Sequence, residues 1–387
     1  MPSPLHLTPS FGFGDRLGLA TRGHIAAVRG TRFAPVFAQQ SVRENARTGR
    51  TPQQVMDDAR RAVEAAGWDA PWGADADHLK TVDDLPPFVA AGYSFFTVDP
   101  GAHVDNAADA DPLAVLQEKT RGADLDRLTE RYLRPAGEQA WGAFNPLSLL
   151  RAEAKYGKAI RHTVAMYRRL SEMKDAFDFE VSVDETDSPT TPLEHFFIAS
   201  ELTLAGVQFT SLAPRFIGRF EKGVDYLGDL DELDAELARH AAVTKHFGTY
   251  KLSLHSGSDK FSVYPLIARH WGGRLHVKTA GTSYLEALRT LAVTEAKLFG
   301  QVWALGLECY ATDRATYHVS ADPGQVPAGL PLPALLDDFH AREILHVTFG
   351  SALAVYGSEM KSALAKHAAA YDANLLRHFR KHLDLLK

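Results

Sequence analysis

One cysteine, Cys309, stands in a chain of 387 residues. Intramolecular disulfides and C-x-x-C redox chemistry are thereby excluded, and a reducing cytoplasm is the expected setting. The lone thiol reads as a structural residue before it reads as a nucleophile. Long apolar runs are missing too: charged residues interrupt each of them well short of the roughly 18 residues that mark a membrane span. Residues 1–6 have neither the charged nor the apolar region of a signal peptide. Basic charge is not in excess. The 42 Lys and Arg against 48 Asp and Glu leave a formal charge of −6, so there is no electrostatic footprint for nucleic acid. No repeat recurs at the ~20–50-residue periods of solenoids and propellers. No tract is of low complexity, and no Walker loop or G-x-S-x-G nucleophile elbow occurs.

The chain does have core-forming material and a repeated grammar. Hydrophobic residues make up 45% of it, enough for a sizeable core. Short segments alternate apolar and polar residues, then pass through small and hydroxyl residues into helical patterns. Such strand-like segments fall at 11–14, 33–38, 93–98, 177–183, 207–211, 250–255, 275–278 and 344–349. Helical patterns separate almost all of them. Thr51 and Pro52 open one as N-cap and first-turn proline, and another is predicted over 77–91. Strands joined by helical crossovers make parallel sheets. Eight such units predict an α/β fold, a (β/α)8 TIM-type barrel in one domain over 1–387, with an open doubly wound sheet as the alternative. Two stretches are too long for simple loops. Residues 102–175 read as a helical cap inserted after the third strand, and 300–333 as a second insertion after the seventh.

Enzymes on such folds carry their chemistry at the C-terminal ends of the strands. Side chains alternate across a strand, so if Leu252 and Leu254 face the helices, then Lys251, Ser253 and His255 face the barrel axis. The same parity sends His276 and Lys278 inward, and Glu180, Ser182 and Asp184 likewise, with Glu185 at the strand end. Polar side chains there are costly unless paired or ligating. Two imidazoles and acidic neighbours point to a divalent-metal site, with His255, His276 and Glu185 as ligands and Asp184 beside them. Such a mixed set suits Zn, Mn, Fe, Co or Ni. For either histidine taken alone, a hydrogen-bonded core residue is the competing reading.

The segment FGFGDRLG (11–18) fails as a dinucleotide fingerprint, because Leu17 stands where the third glycine is required. It reads instead as a tight strand-to-helix turn presenting Asp15 and Arg16. Arg16 suits a bidentate contact to a substrate carboxylate, or a structural pair with Asp15 at the barrel mouth. Gln40, Ser256 and Thr279 are further substrate-binding candidates at strand ends. The loop 214–226 offers Arg215 and Lys222 to an anionic or polyhydroxylated ligand, and the loop 99–106 offers Asp99 and His103. His378 and His382 share a helical face, but Arg380, Lys381 and the nearby chain end mark that helix as solvated.

Six segments together resemble the tagaturonate/fructuronate epimerase family of bacterial hexuronate catabolism: FGFGDRLG (11–18), YSFFTVDPGAHVDN (93–106), VSVDETDSPTTPLEHFFIASEL (181–202), RFEKGVDYLGDL (219–230), KLSLHSGSDKFSVYPL (251–266) and HVKTAGTSYLEALR (276–289). The resemblance spans nearly the whole chain. It implies a barrel, a divalent metal and interconversion of D-tagaturonate and D-fructuronate, with neutral ketohexoses such as tagatose as substrates of some members. The inverted carbon, C4 in ketose numbering, lies one step beyond the α position, so the carbonyl does not acidify its hydrogen. Retro-aldol cleavage and re-addition can invert it, as can a shift of the carbonyl by one carbon. Both routes need a Lewis acid and acid/base groups, here Lys278, Asp99 and Asp184. Transient oxidation by bound NAD is a third route, disfavoured by the failed glycine motif. A class II aldolase, a ketose–aldose isomerase and a non-catalytic sugar-binding protein are the competing functions.

Overall fold

The computed structural model describes residues 1–134 and 139–387. Eight parallel strands close into a barrel in chain order: β1 (Ser10–Gly14), β2 (Ala34–Ser41), β3 (Gly73–Leu79), β4 (Phe95–Val98), β5 (Asp178–Ser182), β6 (Ser211–Ala213), β7 (Lys251–Leu254) and β8 (Leu275–Thr279). β8 closes on β1, with Ser10 opposite His276 and Gly12 opposite Lys278. The parity is as the alternation predicts. Leu252, Leu254, Leu275 and Val277 are buried in the shell of helices, where each contributes roughly 1.5–3 kcal/mol. Lys251 turns inward to the Ser10 hydroxyl at 3.0 Å, and His276 Nδ1 meets the same hydroxyl at 2.8 Å. The barrel is therefore apolar outside and polar along its axis.

Both glycines of the FGFG run are required by close approach. A Cβ on Gly12 would meet the Gln39 side chain at 1.6 Å, and one on Gly14 would meet the Ala280 carbonyl oxygen at 2.4 Å. The run is thus packing chemistry at the barrel mouth.

Two expected elements differ. Residues 73–79 form β3, and the helix expected over 77–91 begins only at Leu85 and ends at Ala91. In this strand Ala74 and Ala76 alternate with Asp75 and Asp77. Alanine marks a hydrophobic period weakly and Asp is depleted in strands, so the pattern is faint. The segment 344–349, expected as a strand, is helical: it spans the end of Phe339–Val347 and the start of Phe349–Lys366. Every residue from 344 to 349 is buried, and a short apolar run enclosed on all sides has no period that separates strand from helix. β6 also begins at Ser211, later than the expected 207.

The insertion after the 93–98 strand follows β4. It carries the helices Leu113–Lys119, Leu125–Tyr132 and Pro146–Met173, and its residues 135–138 lie outside the described residues. Residues 300–333 follow β8. They hold most of the helix Ala296–Asp313, on which Cys309 is half-buried, and then short turns. The last helix, Ala368–Leu385, is not solvated on its histidine face. His382 is fully buried, donates from Nδ1 to the His378 carbonyl at 2.9 Å and accepts the Asp259 amide at 3.1 Å. Asp259 also pairs with His378 at 2.5 Å and Arg342 at 3.1 Å. The network latches the chain's last helix to the loop after β7. Among the described residues, no helix is long and apolar enough to cross a membrane.

Candidate active site

The C-terminal ends of β3, β5 and β7 converge on a group of acids and imidazoles. β3 delivers Asp77 and His78 through an irregularity in its pairing with β4 between Ala76 and Leu79. His78 adopts φ 53°, in the left-handed region that non-glycine residues seldom occupy and that is characteristic of functional sites. β5 delivers Glu180 along the axis and Asp184 and Glu185 just past its end, and β7 delivers His255.

Each imidazole has one nitrogen against a carboxylate of the barrel interior and the other toward the acid pair. His78 Nδ1 is 2.9 Å from Asp77, and its Nε2 lies 3.8 Å from Asp184 and 3.9 Å from Glu185. His255 Nε2 is 2.5 Å from Glu180, and its Nδ1 lies 3.3 Å from Asp184. The two rings are 5.0 Å apart. A carboxylate behind each ring fixes its orientation and raises the basicity of the far nitrogen, as around protein-bound metals. Two overlapping sets have ligand atoms mutually within 4.8 Å: Asp77, His78 and His255, and His78, Asp99 and Glu185. Burial opposes protonation of His78, but Asp77, then Glu185 and Asp184, outweigh it and push it up to about 10. Burial alone would raise the Asp184 carboxyl; His255, with His78 and Lys222, holds it well below the carboxylate range instead. This is a concentration of charge of the kind that holds a divalent cation.

Beside the group lies a cleft of about 260 Å³, walled by Asp184, Glu185, Arg215, Lys222, His255 and Ser256, with Thr316, Tyr317 and His318 crossing from the second insertion, 300–333. An inner recess adjoins it, shares Glu185, Lys222, His255 and Tyr317, and adds Arg16, Gln39, Arg43, His78 and Lys278.

A family model described as tagaturonate epimerase matches residues 1–386. The chain belongs to the tagaturonate epimerase family. A tagaturonate/fructuronate epimerase of Thermotoga maritima is 42% identical over 398 aligned residues, covering 98% of this chain and 81% of that protein. The native crystal structure of the fructuronate-tagaturonate epimerase of Cohnella laeviribosi superposes with a TM-score of 0.95 at 38% identity, covering all of this chain and 83% of that one. A glycerol complex of the same protein gives 0.95 at 37%.

In this epimerase-family chain Asp184, Glu185, His255, Lys222, Ser256 and Arg215 share the cleft, and Asp99 joins His78 and Glu185 at its edge. Lys222 donates to the Ser256 hydroxyl at 2.9 Å. Lys278 lines the recess, yet its ammonium already meets Asp75, Asp77 and Thr97 at 2.7 Å and Glu180 at 2.8 Å. Burial lowers its proton affinity, but Asp75, Asp77 and Glu180 more than reverse this, so it is held charged. Arg16 faces the recess with its guanidinium already on Glu44 at 2.9 Å and stacked 3.6 Å over Phe349.

Other expected residues stand apart. His276 sits one inward position below Lys278 on β8, against Ser10 and 5.2 Å from the Phe95 ring, and burial keeps its pKa well below the ordinary value. It joins none of the three ligand-type sets among the described residues, the third being Asp259, His378 and His382. Asp15 accepts the amides of Leu17, Gly18 and Ala20 and so shapes its own turn. Gln40 accepts from Arg50 at 3.3 Å, and Thr279 donates to the Gly12 carbonyl at 2.7 Å. His103 stacks on His162 at 4.1 Å on the exposed rim. The residues that sequence reasoning missed are Asp77, His78 and Arg43. The signal for the first two was the alternation Asp75-Ala76-Asp77-His78, whose inward acids match the inward lysine of β8.

Proposed function

We propose that this chain interconverts D-tagaturonate and D-fructuronate with a divalent metal held by His78 Nε2, His255 Nδ1, Asp184 and Glu185. The observation that carries the reading is the pair of imidazoles, each backed by a carboxylate and facing one acid pair, in a chain 42% identical to a tagaturonate/fructuronate epimerase. The residues fit such an ion. His78 Nε2 is buried with no hydrogen-bond partner among the described residues, and its contacts of 3.8 and 3.9 Å are too long for hydrogen bonds. Nε2 would thus be free to join Asp184 and Glu185 in holding an ion. When bound, the ion supplies Lewis acidity to the substrate ketone and to the oxyanion that forms from it.

The chain's own residues do the rest. Asp77 and Glu180 hold the two rings in register, and Lys278 holds those two carboxylates. Asp99 accepts the proton of the C4 hydroxyl. As the C3–C4 bond breaks, its electron pair passes to C3 and into the ketone as an enediolate, and the C4 hydroxyl becomes an aldehyde. Rotation of that aldehyde and re-addition on its other face re-forms the bond with C4 inverted, and Asp99 returns the proton to the new alkoxide. We assign the proton to Asp99 in place of Lys278, whose ammonium already meets three carboxylates and Thr97.

The test is incubation of metal-loaded protein with D-tagaturonate in D2O, followed by NMR, with an EDTA-treated control. Metal-dependent fructuronate free of carbon-bound deuterium is expected. Deuterium at the inverted carbon would replace cleavage with the carbonyl shift, accumulation of C3 fragments would indicate an aldolase, and absence of turnover would overturn the assignment.

A further inference from the structure

We propose that Arg43 is the residue that reads the substrate's terminal carboxylate, and that Tyr317 of the second insertion is its positioning partner. The inference deepens the function proposed above and rests on it. A hexuronate differs from the neutral ketohexose by the carboxylate at the end remote from the ketone. A site that selects the uronate needs a cation with donors left over after its structural contacts are made.

Four cations line the inner recess: Arg16, Arg43, Lys222 and Lys278. Arg16 is committed to Glu44 and also contacts the His346 carbonyl at 3.4 Å. Lys278 is saturated by three carboxylates and a hydroxyl. Lys222 has the Ser256 hydroxyl and keeps further donors, but it is a point charge on a flexible stem. Arg43 is different. One Nη bonds Glu185 at 3.1 Å, while its Nε is buried with no acceptor among the described residues. An orphaned buried donor calls for a partner, and a guanidinium edge matches a carboxylate bidentately.

Arg43 rests over an aromatic ring. Its guanidinium carbon lies 5.1 Å from the centre of the Tyr317 ring. Arg47 also stacks on that ring, at 4.9 Å, and donates to the Tyr317 hydroxyl at 2.6 Å and the Thr316 hydroxyl at 2.8 Å. The ring is therefore held from outside while Arg43 rests on it from inside. Because Arg43 also touches Glu185, one side chain joins the proposed ligand sphere to the far end of the substrate.

The test compares wild type, Arg43→Gln and Arg43→Lys. Steady-state kinetics are measured on D-tagaturonate, metal content by elemental analysis, and thermal stabilisation with D-tagaturonate and with D-tagatose as probes. The expected result for Arg43→Gln is a KM raised about 10- to 100-fold, with kcat within a few-fold and metal content unchanged. Arg43→Lys should recover part of the loss. The extra stabilisation by the uronate over the neutral sugar should disappear in Arg43→Gln. Loss of metal, or of kcat at constant KM, would overturn the proposal by reducing Arg43 to a support for Glu185; an unchanged KM would overturn it in favour of Lys222. If wild type turns over neither uronate, the epimerase reading fails by itself, and the thermal comparison still decides Arg43. A preference for the carboxylate that Arg43→Gln abolishes supports its role, and a preference that survives overturns it.

Discussion

The ammonium of Lys278 lies 2.7 Å from the carboxylate of Asp77, the same carboxylate that backs the His78 ring. It also meets Glu180, which backs His255, at 2.8 Å. One buried cation therefore sets the orientation of both imidazoles at the mouth, across strands β3, β5 and β8. The barrel axis is a chain of supports in which each layer fixes the one above it.

Lys278→Met is accordingly expected to act on stability and metal content together. It leaves Asp75, Asp77 and Glu180 buried without their common counter-ion, a change that costs about 3–5 kcal/mol when one partner of a buried pair is removed. Urea denaturation and elemental analysis of the purified variant check this. A variant of wild-type stability and metal content that had lost only turnover would restore Lys278 as a proton carrier.

The two histidines expected from the sequence should behave differently. His255→Ala and His78→Ala should each lose metal and turnover together. His276→Gln should keep its metal, because His276 faces Ser10 and Phe95 below the acid pair. Elemental analysis of the three variants after identical metal loading measures this. Metal lost from His276→Gln and retained in His78→Ala would reverse the ligand assignment.

The contrast between His255 and His78 shows what the sequence could reveal. β7 has leucines alternating with Lys251, Ser253 and His255, so hydrophobic period and chemistry are both visible in one segment. β5 and β8 are legible for the same reason, and most of the barrel follows from them. β3 has alanine where β7 has leucine, and its inward residues are aspartates whose burial is tolerable only because Lys278, some 200 residues away in the chain, neutralises them. That compensation is a tertiary fact with no local trace, and His78 was lost with the strand. The segment 344–349 failed in the opposite sense: its apolar run was visible, but enclosure on all sides left no period to read.

Gly14→Ala tests the packing of the mouth. The new Cβ would meet the Ala280 carbonyl oxygen at 2.4 Å, and backbone cannot rotate away as a side-chain tip can. A loss of about 1–3 kcal/mol is expected from such overpacking. Gly300→Ala, whose Cβ would meet nothing closer than 3.9 Å within a helix, should instead be neutral or stabilising by up to about 1 kcal/mol. Equal effects in thermal denaturation would show that the first loss is not steric.

The carboxyls of Glu221 and Glu343 make the last prediction, one of pH. Both reach the Ser320 amide, at 2.8 and 3.2 Å, and Glu343 also accepts the Ala321 amide at 2.9 Å. Glu343 ties the segment next to Tyr317 to the helix Phe339–Val347, and Glu221 ties it to the loop 214–226. Burial, and then the neighbouring Glu221 carboxylate, push the Glu343 carboxyl from 4.5 up to about 8. Between those values the folded protein keeps a proton that the unfolded chain has released. Stability therefore falls as pH rises through that window and levels off above it. Glu343→Gln keeps an amide oxygen for Ser320 and Ala321 and cannot ionise. Its stability relative to wild type should increase from pH 5 to pH 8 and then stay constant. Urea denaturation of the two at intervals between pH 5 and pH 9 measures it, and a difference independent of pH would show that Glu343 is already ionised at the lower end.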